Sequence, residues 1–436
     1  MKLTFWGVRG SIPSPLLPQV IGDKILHALR EAGERKVDLR DPAALTRFAQ
    51  NLPLSVNSTI GGNTTCITLE SEDILIIFDA GSGMRELGRY LMTREFGMGK
   101  GHAHIFFTHT HWDHIQGFPF FVPAFVKGNR FDIYHVHPYV PQVLHDQMKY
   151  EVFPAQFDHL ASDITFHQIG EGEEITLGNL RIGNIQLQHP GKAYSYRVDG
   201  LNASIVLATD GEYKRLDHPS LKRYLDFYRE ADILIFDAQF SVREAIIKED
   251  WGHSSGLIGA DIARAAKVNQ LVLFHHDPTS TDEEIMVALQ QTREYLAHHD
   301  REGKVSVEVA REGWEVTFER GDAFGIEERT VNEVVCLALR GYFDARASET
   351  FTRYILDLVQ TGNVKKIILD MANLQEMTMA GIRALLDARR NVYSMAIINV
   401  PDNVYRVLEL AGTTDFFAIY ASLDDALKSN SMGHVS

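Results

Sequence analysis

The sequence reads as an α/β protein in two domains, and three observations carry that reading. A chain of 436 residues is longer than one core ordinarily serves, so two domains are the natural expectation. In its first part, apolar runs of strand length end in polar residues and are interspersed with segments of helical periodicity. After Trp314 to Phe318 a polar, Gly-bearing segment intervenes, and a strand–helix alternation begins again.

Taken in order, the first domain spans 1–320. Its N-terminus, Leu3-Thr4-Phe5-Trp6, reads as a strand, as do Ile67 to Leu69, Ile74 to Phe78 and His104 to Phe107. Asp79-Ala80-Gly81-Ser82-Gly83 forms a tight turn after the third of these. Further strands are expected at Ile185 to Gln188, Ser204 to Ala208, Ile233 to Phe236 and Leu271 to Phe274, each leading to a polar residue: His189, Asp210, Asp237 and His275. Strand ends that deliver such groups to one edge describe a site on a rigid scaffold. Helices are expected at Pro219 to Glu230 and Gly256 to Lys267. An insertion from Pro13 to Asn57 is amphipathic around Ile21 to Glu31 and Ala43 to Asn51, and suits a lid, an oligomer contact or solvated decoration. The boundary falls at Glu319 to Gly325. The second domain, 325–430, then reads strand (Val334 to Leu339), helix (Ala347 to Gln360), strand (Lys366 to Asp370), helix (Ala380 to Asn391), strand (Ser394 to Val400) and helix (Asp402 to Leu410), a small α/β domain with a mixed sheet.

Composition narrows the class. Hydrophobic residues make up 45% and charged residues 23%, as in globular proteins. No apolar run is long enough to cross a bilayer and no cleavable signal is evident, so a cytoplasmic chain without membrane contact is expected. Cys66 and Cys336 lie far apart without ligand spacing, which suits small buried hydrophobes better than a disulfide. A net charge of -15 opposes a phosphate backbone, so a small phosphodiester or locally recognised substrate is expected and a long nucleic acid is not.

The chemistry is densest at Thr108-His109-Thr110-His111-Trp112-Asp113-His114, which follows an apolar run directly. His109 and His111 are two apart, so at a strand end both project to one face. A turn after Trp112 brings Asp113 and His114 alongside, giving the nitrogen and oxygen donors that Zn, Mn or Fe accept. The alternative is a surface histidine cluster. Taken alone, His189 and Asp210 could equally be ordinary polar loop residues.

The order of these residues resembles the metallo-β-lactamase superfamily, in its ribonuclease Z-like and cyclic-nucleotide-phosphodiesterase-like branch. The resemblance runs from Phe5 to about Phe318 and rests on the H-x-H-x-D-H run, Gln188-His189-Pro190, Ala208-Thr209-Asp210-Gly211 and Leu273-Phe274-His275-His276-Asp277-Pro278. It implies an αββα sandwich with two divalent ions, most simply zinc with Mn or Fe as alternatives. It assigns His109, His111 and His189 to one ion, Asp113, His114 and His275 to the other, and Asp210 to a bridge. His276 competes with His275 for the last place. Two cations roughly 4 Å apart suit hydrolysis by in-line displacement. The resemblance further implies a leaving-group histidine, His253 in Gly252-His253-Ser254, oriented by a carboxylate that here is Asp237 where the family usually has Glu. Asp113 is implied as an additional proton acceptor. A helix cap is the alternative for His253. Phe5 to Ser11 and Gly61 to Cys66 also look like family elements, with Arg9 suited to a phosphate oxygen or to a structural ion pair. The basic, Gly- and Pro-rich arm of transfer-RNA processing members is not evident in Gly117 to Tyr150, where Lys127, Arg130 and Lys149 are the basic residues besides histidine. Phe118, Phe120, Phe121 and Phe125 there suit either base stacking or an apolar wall.

Gly325 to Leu427 resembles a STAS domain, the fold of anti-sigma-factor antagonists, through Leu339 to Ala345, Ile367 to Met371 and Met377-Thr378-Met379-Ala380-Gly381-Ile382. Signalling members carry a phosphorylated serine where this chain has Ala380, so the ordinary phospho-switch is expected to be absent. Thr378 is expected to cap the helix that follows. The expectation is therefore a dinuclear phosphodiesterase acting on a small or cyclic nucleotide, with the STAS domain serving regulation, assembly or a protein partner. Alternatives are a thioester or lactone hydrolase, or a metal-domain sensor signalling through the STAS domain.

Overall fold

The computed structural model describes residues 1–300, 303–318, 324–331, 334–361 and 366–429. It divides into two compact units, Met1–Phe318 and Glu319–Ser436. Most of the expected boundary segment, Glu319 to Ala323, lies outside the described residues.

The first unit is built on two seven-stranded sheets. One runs in the order Glu315–Thr317, Lys2–Gly7, Cys66–Ser71, Ile74–Phe78, His102–Phe107, Arg130–His135 and Asp163–Gln168. The other runs Ser306–Val309, Gln270–Phe274, Ile233–Asp237, Ser204–Ala208, Ala193–Asp199, Leu180–Leu187 and Ile175–Leu177. Period-2 alternation sorts the side chains of the first sheet between two cores. Ile76, Phe78 and Phe106 join the core shared with the second sheet, whereas Ile77, Ile105, Phe107 and Ile133 pack on the helices Met84–Leu91 and Val140–Asp146. Tyr196 of the second sheet donates its hydroxyl to Phe107 O at 2.9 Å, tying the sheets together just before the histidine-rich run His109 to His114.

Strand direction decides where the chemistry collects. Ser204–Ala208, Ile233–Asp237 and Gln270–Phe274 pair in parallel, so their C-terminal ends share one edge. Leu180–Leu187 is antiparallel to Ala193–Asp199, which is antiparallel to Ser204–Ala208, so its end reaches the same edge. In the first sheet Ile74–Phe78 and His102–Phe107 are also parallel. Isolated bridges from Arg9 to Thr64 and to His276 link the two systems.

The insertion forms the helices Pro18–Glu34, Pro42–Gln50 and Leu54–Asn57. Phe118 and Phe121 are buried and Phe120 is exposed, so most of that aromatic run is an apolar wall. Both cysteines are buried and free. Among the described residues no helix is long and apolar enough to cross a membrane.

The second unit is a mixed five-stranded sheet in the order Gly325–Val331, Val334–Phe343, Lys366–Met377, Ser394–Ile398 and Ala418–Tyr420, with only the first pairing antiparallel. The inner strands are buried on both faces over Val334 to Leu337, Ile367 to Leu369 and Ser394 to Ile398, which is why these read as continuous apolar runs. Leu337, Leu369 and Ile397 face a core with the helices Ala345–Thr361, Met379–Asn391 and Asp402–Leu410, while Cys336, Ile368 and Ala396 face Leu423–Lys428. Phe343 stacks on Phe324 at 4.7 Å and meets Phe351 edge-on at 5.0 Å. Thr378 occupies the N-cap position, but its hydroxyl donates to Phe343 O at 3.3 Å and makes no cap hydrogen bond. Phe343→Ala is expected to destabilise this unit by about 3–5 kcal/mol through the cavity it leaves. Urea unfolding followed by hydrogen exchange in Lys366–Met377 measures it.

Candidate metal centre

Each polar group of the shared edge is set by a strand end. Asp79, Asp210 and His275 come one or two residues after their strands and adopt left-handed φ of 57°, 56° and 59°. Non-glycine residues rarely hold that conformation, and where they do the fold imposes it at a cost, commonly at functional sites. The turns swing all three side chains inward, to 1% exposure or less. Gly10 allows the first loop to come in close, since a Cβ there would collide with the His275 ring and Gln239. At Gly252, with φ of 85°, a Cβ would strike His189.

The donors fall into groups whose ligating atoms lie within 4.8 Å of one another: His109, His111 and His189; Asp113, His114, Asp210 and His275; and Asp210, Asp237, His253 and His275. Asp210 belongs to the second group and also faces the first. Its Oδ1 is 3.9 Å from both His109 Nε2 and His189 Nε2 and 3.3 Å from His275 Nε2, and its Oδ2 is 3.2 Å from His114 Nε2. His276 points elsewhere, with Nε2 donating to Ala310 O at 3.0 Å. Arg9 is also turned away from the site. Its guanidinium donates to the carbonyls of Gly61, Asp277 and Ser280 and pairs with Asp282 at 3.7 Å, a structural role.

A further layer holds the imidazoles with their second nitrogens facing the cluster. His114 Nδ1 donates to Asp79 Oδ2 at 2.8 Å, and Thr108 Oγ1 also donates to that carboxylate. Thr108 Oγ1 thus accepts from His109 Nδ1 at 3.0 Å. His189 Nδ1 donates to Gly252 O at 2.9 Å and His275 Nδ1 to Gln239 Oε1 at 3.0 Å. The Ser11 amide donates to Asp113 Oδ2 at 2.7 Å. Asp79, Gln239 and Ser11 carry no site role in the sequence reading. Asp79 was legible only as part of a turn, although a lone Asp directly after a buried strand was the available signal.

The donors fit divalent ions. His109 Nε2 and His114 Nε2 are buried and have no hydrogen-bond partner, although each faces carboxylate oxygen. Imidazole nitrogens with carboxylates suit zinc. Charge divides the site in two. Burial pushes His109 well below its ordinary value and His189 down to about 4, so the first group is neutral at pH 7. Burial also acts against charge on His275, but Asp210, Asp113 and Asp237 outweigh it and raise this histidine to about 9. His114 is raised by Asp210, Asp113 and Asp79 against the same opposition.

Asp237 is fully buried and accepts from four donors: the amides of Asp210, Gln239 and Ser254, and His253 Nδ1 at 2.8 Å. The following helix, Gly256–Ala265, is capped by Ser255, so His253 is not its cap. A cavity of about 420 Å³ opens over the site, lined by Ser11, Thr110, His111, Trp112, Asp113, Asp210 and His253. A larger groove of about 830 Å³ beside the helix Asp282–His299 contains none of the seven candidate ligands.

Fold and site together define the class, a metal-dependent hydrolase. Residues 75–276 match the beta-lactamase superfamily domain and residues 326–426 match the STAS domain, so the chain carries a metallo-β-lactamase domain followed by a STAS domain. It is similar to the ribonuclease Z of Thermoplasma acidophilum, 22% identical over 51% of this chain and 83% of that one. The ribonuclease Z of Archaeoglobus fulgidus is 24% identical over 49% and 81%. The crystal structure of human tRNase Z, short form, superposes with a TM-score of 0.46 at 17% identity, covering 73% of this chain and 100% of that one.

These relatives correct one expectation. That no long nucleic acid is a partner does not stand, because the curated relatives are ribonucleases by name. The net charge of -15 averages the whole chain. Electrostatic attraction acts locally, within a screening length of about 8 Å at physiological ionic strength, so the average does not exclude RNA.

Two outcomes are expected. Asp79→Asn weakens zinc binding by about 10- to 100-fold, measured by competition with a chromogenic chelator. With His275 at about 9, zinc entering the second group at pH 7 displaces protons, whereas the first group binds without release. Affinity for an ion in the second group therefore rises as the pH is raised from 7 toward 9. Calorimetry in two buffers of different ionisation enthalpy counts the protons.

Proposed function

We propose that this chain is a zinc-dependent phosphodiesterase acting on nucleotide phosphodiesters, with RNA and small or cyclic nucleotides as the substrate classes to compare. The observation that carries the reading is the pair His253–Asp237, hydrogen-bonded at 2.8 Å within ligating distance of Asp210 and His275. Hydrolysis at a metal pair needs no separate histidine unless a poor leaving group must be protonated. Alkoxide departure from a nucleotide phosphodiester is such a case.

In this reading His109, His111 and His189 hold one ion, Asp113, His114 and His275 hold the other, and Asp210 touches both. Ions held there would supply Lewis acidity toward phosphoryl oxygens and lower the pKa of water. The other steps belong to this chain's residues. Asp237, fixed by three backbone amides, accepts the His253 Nδ1 proton and so directs Nε2 to the cavity. His253 passes a proton from Nε2 to the departing oxygen. Asp113, anchored by the Ser11 amide, is placed to accept a proton from the nucleophile. The missing methylene relative to the family's usual Glu does not leave Asp237 loose. The STAS unit is assigned to regulation or assembly.

The full chain reconstituted with zinc is expected to hydrolyse bis(p-nitrophenyl) phosphate and at least one of a cyclic-nucleotide panel and an RNA carrying a 3′ extension. Cleavage of a thioester or lactone with no phosphodiester turnover would overturn the proposal. His253→Ala is expected to lower kcat about 10²- to 10⁴-fold on alkoxide-leaving substrates and much less on p-nitrophenyl esters, whose leaving group needs little protonation.

A further inference from the structure

At the other end of the strand that delivers the histidine motif lies a second cluster of metal-binding side chains that the proposed chemistry leaves unused. His102 and His104 of His102–Phe107, Asp132 of Arg130–His135 and His167 of Asp163–Gln168 meet on one face of three adjacent parallel strands. His104 is paired directly opposite Asp132. From His104 to His109 the chain advances five residues, about 16 Å at roughly 3.3 Å per residue, so the cluster is separate from the metal centre.

Its geometry converges on one carboxylate. His102 Nε2 donates to Asp132 Oδ2 at 2.6 Å and His167 Nε2 to Asp132 Oδ1 at 2.7 Å. His104 Nδ1 lies 3.9 Å from the same carboxylate, with the Tyr134 hydroxyl at 3.5 Å as its nearest polar partner. Donor atoms of His102, His104 and Asp132 all fall within 4.8 Å of one another. We propose that His102, His104 and Asp132 form a mononuclear site for a divalent transition metal of the zinc type, with His167 outside that group and orienting the carboxylate through its hydrogen bond. Two imidazole nitrogens and one carboxylate oxygen with a place left for solvent are a zinc donor set.

The surroundings favour it. His102, Asp132 and His167 keep 33%, 26% and 38% of their side-chain surface, so an ion can reach them from solvent. Burial, aided by the neighbouring His102, lowers His104 to about 4, which leaves that ring neutral at pH 7. Ligation through His102 Nε2 replaces the proton now shared with Asp132. The exposed Arg130, whose Nη2 lies 3.1 Å from His102 Nδ1, then turns to solvent. An ion there ties two of the strands together at the end of the sheet remote from the chemistry.

The test is the zinc content of the full chain after metal stripping, reloading and dialysis against a weak chelator. Wild type, the double variant His102→Asn/His104→Gln and the isosteric Asp132→Asn are compared. Each variant is expected to retain one zinc fewer per chain, with turnover unchanged, and zinc is expected to raise Tm more in wild type than in either variant. In an Asp210→Ala background the same one-ion difference should persist, so the readout does not require activity. Equal melting in EDTA establishes that the variants fold, and Asp132→Asn serves should the double variant not. Equal zinc content in wild type and variants overturns the proposal and leaves a hydrogen-bonded histidine cluster.

Discussion

The Asp210 carboxylate, enclosed by imidazoles and held in a left-handed turn, is the constraint on which the site depends. Its pKa is driven well below the ordinary carboxylate range because His275 and His114 outweigh the burial that acts against its charge. A buried charge of this kind persists only when compensated. Compensation comes from side chains that follow His102–Phe107 in one sheet and Gln270–Phe274 in the other, so the edge of both sheets must be assembled before the site exists. The backbone strain at Asp79, Asp210 and His275 is the local cost of turning all three inward at once.

The sandwich answers that constraint through strand direction. Parallel pairing sends His109, Asp210, Asp237 and His275 to one edge, two successive antiparallel pairings bring His189 there, and Tyr196 fixes the spacing between the sheets beside it. The outer polar layer then orients what the strands deliver. Asp79, Thr108, Gly252 and Gln239 each occupy one imidazole nitrogen or its relay, leaving the other for the cluster. Asp237 has the most partners, and it links Asp210 to His253 through a backbone amide and a side chain. In the proposed reading that carboxylate couples the metal centre to the leaving-group histidine.

Much of this was legible in the sequence where a strand is buried on both faces. Ile74–Phe78, Ser204–Ala208 and Ile233–Asp237 read as unbroken apolar runs because helices or a second sheet cover each side. Arg130–His135 and Asp163–Gln168 did not stand out, since Asp132, Tyr134 and His167 interrupt the apolar pattern on the face where they gather. The helix Asp282–His299 has weak apolar periodicity, and its clearest sequence signal is the capping box of Thr281 with Glu284. The seven candidate positions could be picked out because their residue types and order are demanding. Asp79 and Gln239 were not, because a single carboxylate or amide in a loop acquires meaning only from the ring it faces. Substrate was the least legible property, since overall charge cannot describe one cleft.

The central claim is that Asp210 and the six side chains grouped around it hold two ions. Anomalous diffraction at the zinc edge from crystals of the zinc-loaded chain tests it most directly. The account predicts two peaks in that cluster, one among His109, His111 and His189, the other among Asp113, His114 and His275, with Asp210 touching both. A single peak, or two peaks with Asp210 turned away, would contradict it.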